Sequence, residues 1–370
     1  MLTACAYGAG APAPSCSAEA AYAGPPPVDV PVVSQPAPVD TTRRAPADVA
    51  AELQGVFEKT FARTQATAAS VAIYSETHGF WRSDIGLEAG EPDAFWLASI
   101  AKLPVASIII QMIEEGKISY DDRLDIWLPD LPNASLVTID DLLTHKSGLR
   151  DLQHDPAWRS RTGYKSLRAT LDYGETQESQ FCPGTNWAYS NFGYVVLGAI
   201  AEKIEGEPLA EIFKMRIAAP LGLTSLQWVV PETDRDAIVS GVPASTTFVE
   251  GIAGIHGAGA MAGDTTDLLR LLAAYLAGDI ISEESLRATR ATLYPLFSQD
   301  MSYGRGVMMT RVPDPDAPAI WIGHAGGAAN AKALVAYDVS RRAYIAVNLN
   351  TNAPAEAIAN MLLKALDHME

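Results

Sequence analysis

Ser99-Ile-Ala-Lys102 is the stretch whose residue types and spacing could do chemistry. On the first turn of a helix, a serine and a lysine three residues later share one face, so the amine reaches the serine oxygen. A serine hydroxyl is a weak nucleophile until a neighbour takes its proton, and a helix N-terminus adds partial positive charge that favours an oxyanion. A helix cap followed by a solvated lysine gives the same four letters, so partners elsewhere must decide. One is Trp187-Ala-Tyr189-Ser-Asn191, which holds the only Tyr-x-Asn in the chain. A tyrosine beside a lysine ammonium is expected to titrate lower, so that its phenolate takes the Ser99 proton. Asn191 would hydrogen-bond Lys102 and a substrate amide. Another is Gly323-His-Ala-Gly-Gly327, where glycines let a substrate backbone approach and an unpaired N–H can face an oxyanion. The last is Leu142-Leu-Thr-His-Lys-Ser-Gly-Leu149.

The elements that must position these residues follow from periodicity. Val49, Leu53, Val56, Phe57 and Phe61 predict a helix over 47–66, and strands are expected over Ala69–Ser75 and 80–86, joined by a turn at Gly79. A helix over 100–115, apolar nearly all round, would be buried with its N-terminus in a cleft. Short helices are expected over 139–143, 192–204, 209–217, 268–276 and 282–291. Residues 251–263 read as a glycine-rich loop packed against a helix, without the lysine of a phosphate cradle. Strands over 319–323, 331–338 and 343–350 read as an antiparallel meander, closed by a helix over 355–368. Strands near both ends with a helical middle imply an α/β chain of the α+β type. Its mainly antiparallel sheet would be flanked by helices, with an inserted, mostly helical subdomain and the cleft between them. The sheet part is about 48–117 and 245–368, and the helical part about 118–244.

Composition narrows the function classes. A net charge of −17 argues against nucleic acid, which needs clustered Lys and Arg. No stretch is long and apolar enough for a membrane helix. The six histidines and three cysteines show no metal-ligand spacing, no cofactor motif is present, and no disulfide framework is implied. Residues 1–47 hold nine of the 24 prolines and no Lys, Trp or Phe, so they read as a disordered Ala/Pro-rich tether. At its start Leu2-Thr-Ala-Cys5 resembles a bacterial lipobox, which would make the protein exported, periplasmic or an outer-membrane lipoprotein anchored at Cys5.

In order and spacing, Ser-x-x-Lys, Leu-Leu-Thr-His-x-Ser-Gly-Leu, Tyr-Ser-Asn and His-x-Gly resemble the penicillin-recognising serine hydrolases. The branch is the one holding class C β-lactamases, D-alanyl-D-alanine carboxypeptidases, D-aminopeptidases and related esterases, and the resemblance covers about residues 48–368. It implies the β-lactamase/transpeptidase-like fold and an acyl-serine mechanism. Ser99 is then the nucleophile, and Lys102 and Tyr189 share the base and acid roles. Asn191 positions lysine and substrate, and the N–H groups of Ser99 and Gly327, beside Gly326, form the oxyanion hole. Gln153 would match a substrate-contacting glutamine, and His145 would be a hydrogen-bonded structural residue. His324-Ala-Gly departs from the Lys-Thr-Gly usual in β-lactamases. Losing the hydroxyl and a fixed positive charge removes contacts to a substrate carboxylate. Small esters or D-amino-acid-containing amides are therefore favoured as substrates. A β-lactamase is the alternative within the enzyme class, and a non-turnover penicillin- or cell-wall-peptide-binding envelope protein the alternative outside it.

Overall fold

Strand pairing gathers segments that lie far apart in the chain. The structure is a computed structural model that describes residues 16–17, 21–29, 36–88, 90, 93–241, 246–313 and 318–369. Helix α1 (Ala47–Phe61) buries Val49, Leu53 and Phe57, the stripe its spacing predicts. Strands β1 (Ala69–Ser75) and β2 (Gly79–Ile85) form the expected hairpin. At its turn Gly79 has φ +85, and a Cβ there would strike the Arg43 carbonyl.

After β3 (Phe95–Trp96), Ala98 takes φ +47 and reverses the chain into a tight 3-10 turn, Ala98–Ala101. Helix α2 (Lys102–Glu114) continues from it, with every residue from Lys102 to Ile110 buried. Its short companion α3 (Ile139–Leu143) starts at a capping box of Thr138 and Asp141. Helix α4 (Asn191–Glu205) is capped by Ser190 and stopped by Gly206 at φ +76. The remaining strands and helices that matter to the site are β4 (Gln227–Trp228), β5 (Met261–Gly263), α5 (Thr265–Ala277), β6 (Tyr294–Leu296) and β7 (Ser298–Tyr303). They are followed by β8 (Met308–Val312), β9 (Ala319–Ala328), β10 (Ala331–Asp338), β11 (Ala343–Leu349) and α6 (Ala355–Leu366).

The eight-stranded antiparallel sheet runs β2-β1-β11-β10-β9-β8-β7-β6, so the first hairpin joins the last strand, with Val71 opposite Val347. One face is covered by α1 and α6, through residues such as Leu53, Trp81, Leu334, Ile358 and Leu362. The other packs on α2, α4 and α5 through Ile109, Leu197, Leu268, Val335 and Ala346. Each such buried aliphatic side chain contributes roughly 1.5–3 kcal/mol before entropy is counted. A small sheet, β3-β5-β4, holds the approach to the Ala98 turn.

Several expectations are corrected. Strands β6 to β8 were not anticipated, because Ser298-Gln-Asp-Met-Ser-Tyr303 is polar and Pro295 interrupts the run before it. The glycine-rich segment is only partly a loop: it includes the end of a helix over Thr246–Ala253, a 3-10 turn over His256–Ala258, and β5. Its glycines do permit close packing, since a Cβ on Gly257 would strike the Tyr194 carbonyl.

The N-terminal tether is also revised. Ala23 N donates to Thr185 O at 2.7 Å, Val28 N to Leu293 O at 2.8 Å, and Ala45 N to Phe80 O at 2.9 Å. Cys16 and Cys182 form a disulfide across 166 residues, with Cα atoms 5.3 Å apart. A bridge that long leaves no spacing signature, and composition alone says nothing about strapping to a distant surface. Cys5 and its lipobox lie outside the described residues.

Candidate active site

Lys102 is buried at the start of α2 and is satisfied by the adjoining turn and by groups from two distant segments. Its Nζ donates to Ser99 Oγ at 3.1 Å, Asn191 Oδ1 at 2.9 Å and Ala258 O at 2.6 Å. Burial pushes the amine down to about 7, opposed by the Asp151 carboxylate. Two of its three partners only accept. In the neutral amine two N–H bonds serve Asn191 and Ala258, leaving the lone pair for the Ser99 hydroxyl.

Tyr189 shares a side-chain hydrogen bond with Ser99 and lies under the lysine, whose Nζ is 5.1 Å from the ring centroid. The expected lowering of the phenol is corrected. Burial raises it, the Ser99 hydrogen bond opposes this, and Asp151 adds to the rise. Desolvation is the largest of these influences. Tyr189 is therefore a proton donor at neutral pH, and Lys102 the better base.

The Leu-Leu-Thr-His segment acquires a function from this geometry. At the end of α3, His145 has φ +61, its carbonyl accepts Ala188 N at 3.1 Å, and its Nδ1 accepts Ser190 N at 3.2 Å. The two bonds bracket Tyr189, whose ring lies 4.3 Å from the imidazole centroid. Burial lowers His145 well below the ordinary imidazole range, so it is a neutral support, as expected.

Strand β9 approaches Ser99 closely. A Cβ on Gly326 would strike the Leu97 carbonyl and come within 3.0 Å of Ser99 N. A cleft of about 280 Å³ is lined by Ser99, Gln153, Asn191, Gly259 and Gly327, with Trp96 and Ile255 on its walls. His324, in the His-x-Gly motif of the expected substrate-binding set, lies on the same strand. Its side chain is buried, Nδ1 donates to Ala325 O at 2.7 Å, and its ring meets the Tyr303 ring at 5.8 Å. Burial, with Lys102 nearby, lowers it to about 3, so it stays neutral.

Sequence reasoning missed Asp151. Its Oδ2 accepts Asn191 Nδ2 at 2.9 Å, and its Oδ1 accepts Gln153 N at 3.1 Å. It also pairs with His154 at 3.1 Å, raising that imidazole. The only available signal was its place two residues before Gln153. The Ala258 carbonyl had no side-chain signal at all.

Comparison with known proteins agrees with this geometry. The family model described as Beta-lactamase matches residues 53–368. A penicillin-binding protein of Bacillus subtilis (strain 168) is 27% identical over 295 residues, 74% of this chain and 64% of its own. Esterase EstB of Burkholderia gladioli is 32% identical over 233 residues, covering 56% of this chain and 59% of its own. The chain thus spans less than two thirds of these curated relatives. Among solved structures, D-amino acid amidase from Ochrobactrum anthropi SV3 superposes with a TM-score of 0.77 at 22% identity, over 87% of this chain and 99% of its own. That likeness is one of fold. The family match runs from within the first helix to beyond the last, and the chain belongs to the beta-lactamase family, within its penicillin-recognising serine hydrolase branch.

Proposed function

We propose that the protein hydrolyses small esters or D-amino-acid-containing amides through an acyl-enzyme on Ser99. The observation that carries this is the Lys102 amine, buried, held near neutrality and hydrogen-bonded to the Ser99 hydroxyl. In the first half-reaction Ser99 Oγ bonds to the carbonyl carbon while Lys102 takes its proton. The carbonyl oxygen turns toward the N–H groups of Ser99 and Gly327, where one donor is typically worth roughly 3 kcal/mol. The bond to the leaving oxygen or nitrogen breaks as the Tyr189 phenol protonates it. The lysine ammonium then returns a proton to Tyr189. In the second half-reaction water attacks the acyl-serine, Lys102 takes its proton and passes it to the departing Ser99 Oγ, and serine and amine are both restored.

Neutral or cationic substrates are favoured because no lysine or arginine is among the described residues lining the cleft, and His324 is buried and uncharged. A β-lactam carboxylate would meet only His154, whose charge Asp151 already holds. The esterase and D-amino acid amidase among the related proteins fit this selection.

The Cys16–Cys182 disulfide supports export to an oxidising compartment, since such bonds persist there and are rare in the cytosol. No described helix is long and apolar enough to cross a membrane. A periplasmic or outer-membrane location follows from the lipobox if Cys5 is acylated.

The test is intact-protein mass spectrometry of the wild type and Ser99→Ala with p-nitrophenyl butyrate, D-alanine p-nitroanilide and nitrocefin, alongside turnover of each. Ser99-dependent turnover of the ester or anilide, faster than of nitrocefin, is expected. Faster nitrocefin hydrolysis would establish the β-lactamase reading instead. A stable adduct without turnover would establish the binding-protein reading.

A further inference from the structure

Phe297 stands alone between Leu296 and Ser298, which pair with each other across the β6–β7 hairpin beside an irregularity in its register. It breaks two ordinary preferences at once. Its φ of +55 lies in the left-handed region, where a bulky side chain is a steric outlier and glycine or asparagine is usual. Its ring is also 70% exposed, although its neighbour Leu296 is fully buried and Tyr294 nearly so. A residue that neither fills the core nor suits its backbone is not explained by folding. What it does touch is the catalytic tyrosine of the proposed mechanism, with ring centroids 6.1 Å apart.

That neighbour fixes what Phe297 can meet. In the acyl-transfer reading above, on which this inference rests, Tyr189 gives its proton to the departing oxygen or nitrogen. Whatever that atom carries must then project past the tyrosine, and Phe297 flanks the tyrosine with an open aromatic face. The acyl group instead stays bonded to Ser99, in the cleft lined by Gln153, Gly259 and Gly327, which Phe297 does not line. We propose that Phe297 is a specificity residue for the leaving group, selecting alcohols or amines with an apolar, preferably aromatic, substituent.

A leaving-group contact acts only before the acyl-enzyme forms, so it changes kcat/KM and leaves deacylation of a shared acyl group untouched. The test compares benzyl butyrate with methyl butyrate, and D-alanine benzylamide with D-alanine methylamide. Each pair shares one acyl group, and the difference in amine basicity within the amide pair cancels when its ratio is compared between wild type and variants. The full chain is used as wild type, Phe297→Gly and Phe297→Asn, both substitutions being compatible with φ +55 and so with folding. Wild type is expected to favour the benzyl member about tenfold, the scale of one aromatic contact. In both variants the benzyl-to-methyl ratio falls about tenfold, deacylation of the butyryl-enzyme is unchanged, and Tm is held or raised.

A ratio near one in wild type, or one unchanged in both folded variants, overturns the inference. So does an equal loss on both members of a pair, which would mean that Phe297 acts through Tyr189 alone. Wild type lacking Ser99-dependent turnover or acylation with all four substrates overturns the parent reading itself. That outcome is recognisable because wild type and Ser99→Ala would be indistinguishable.

Discussion

Asp151 fixes which way round Asn191 sits. Its Oδ2 can only accept, so the amide nitrogen of Asn191 faces it at 2.9 Å and Oδ1 is left for Lys102 Nζ, also at 2.9 Å. The carboxylate also opposes the burial that lowers the lysine. One acidic side chain thus orients Asn191 and partly offsets the effect of burial on Lys102 without lining the cleft.

Replacing it should separate those effects. In wild type kcat/KM is expected to rise with pH through about 7, as Lys102 loses its proton and becomes the base. Asp151→Asn removes the charge that favours the ammonium, so the rising limb moves to lower pH. Asp151→Ala also removes the partner of the Asn191 amide. Losing a hydrogen bond to a charged group costs about 1.5–3 kcal/mol, and kcat/KM should fall about ten- to hundredfold. A pH–rate profile of both variants with one p-nitrophenyl ester decides it. An unmoved limb in Asp151→Asn would show that the carboxylate does not tune the lysine.

Tyr189→Phe should distinguish an acid from a base. Burial keeps the phenol protonated, so its loss removes the proton destined for the leaving group. Hydrolysis of an alkyl ester is expected to fall by about 10²–10⁴, and that of a p-nitrophenyl ester, whose leaving group needs no proton, far less. The rising limb near pH 7 should survive in the variant, because it belongs to Lys102. Equal losses on both esters with disappearance of the limb would return the base role to the tyrosine.

These expectations measure what the sequence alone could reveal. Ser99, Lys102, Tyr189 and Asn191 were legible because their types and order are specific, and the structure brings all four together. The hairpin of β1 and β2 and the strands β10 and β11 were legible from alternation and turn residues. The direction of the Tyr189 shift was not, because it turns on desolvation, which depends on atoms contributed by His145 and Tyr303 far away in the chain. The burial of His324 was not legible either, for a similar reason. A strand residue faces either the cleft or the core, and only the approach of β9 to the Ser99 turn shows which. Phe297 carried no signal, since its interest lies in a backbone angle.

The disulfide offers a test that separates stability from positioning. Cys182 begins the segment that leads through Thr185 and Trp187 to Tyr189, and its bond to Cys16 straps the N-terminal residues over that segment. Closing so long a loop typically stabilises by about 2–4 kcal/mol, so Cys16→Ser should lower Tm by about 3–5 °C. Tyr189 itself is bracketed by His145, through Ala188 N and Ser190 N, and neither bond involves the strap. At 25 °C the variant should therefore keep kcat/KM within about twofold of wild type while its Tm falls. Thermal unfolding and ester hydrolysis on one preparation, with alkylation of the freed Cys182 thiol as the check on bond status, measure both. A collapse of kcat/KM well below the melting transition would instead make the strap part of what holds Tyr189 against Ser99.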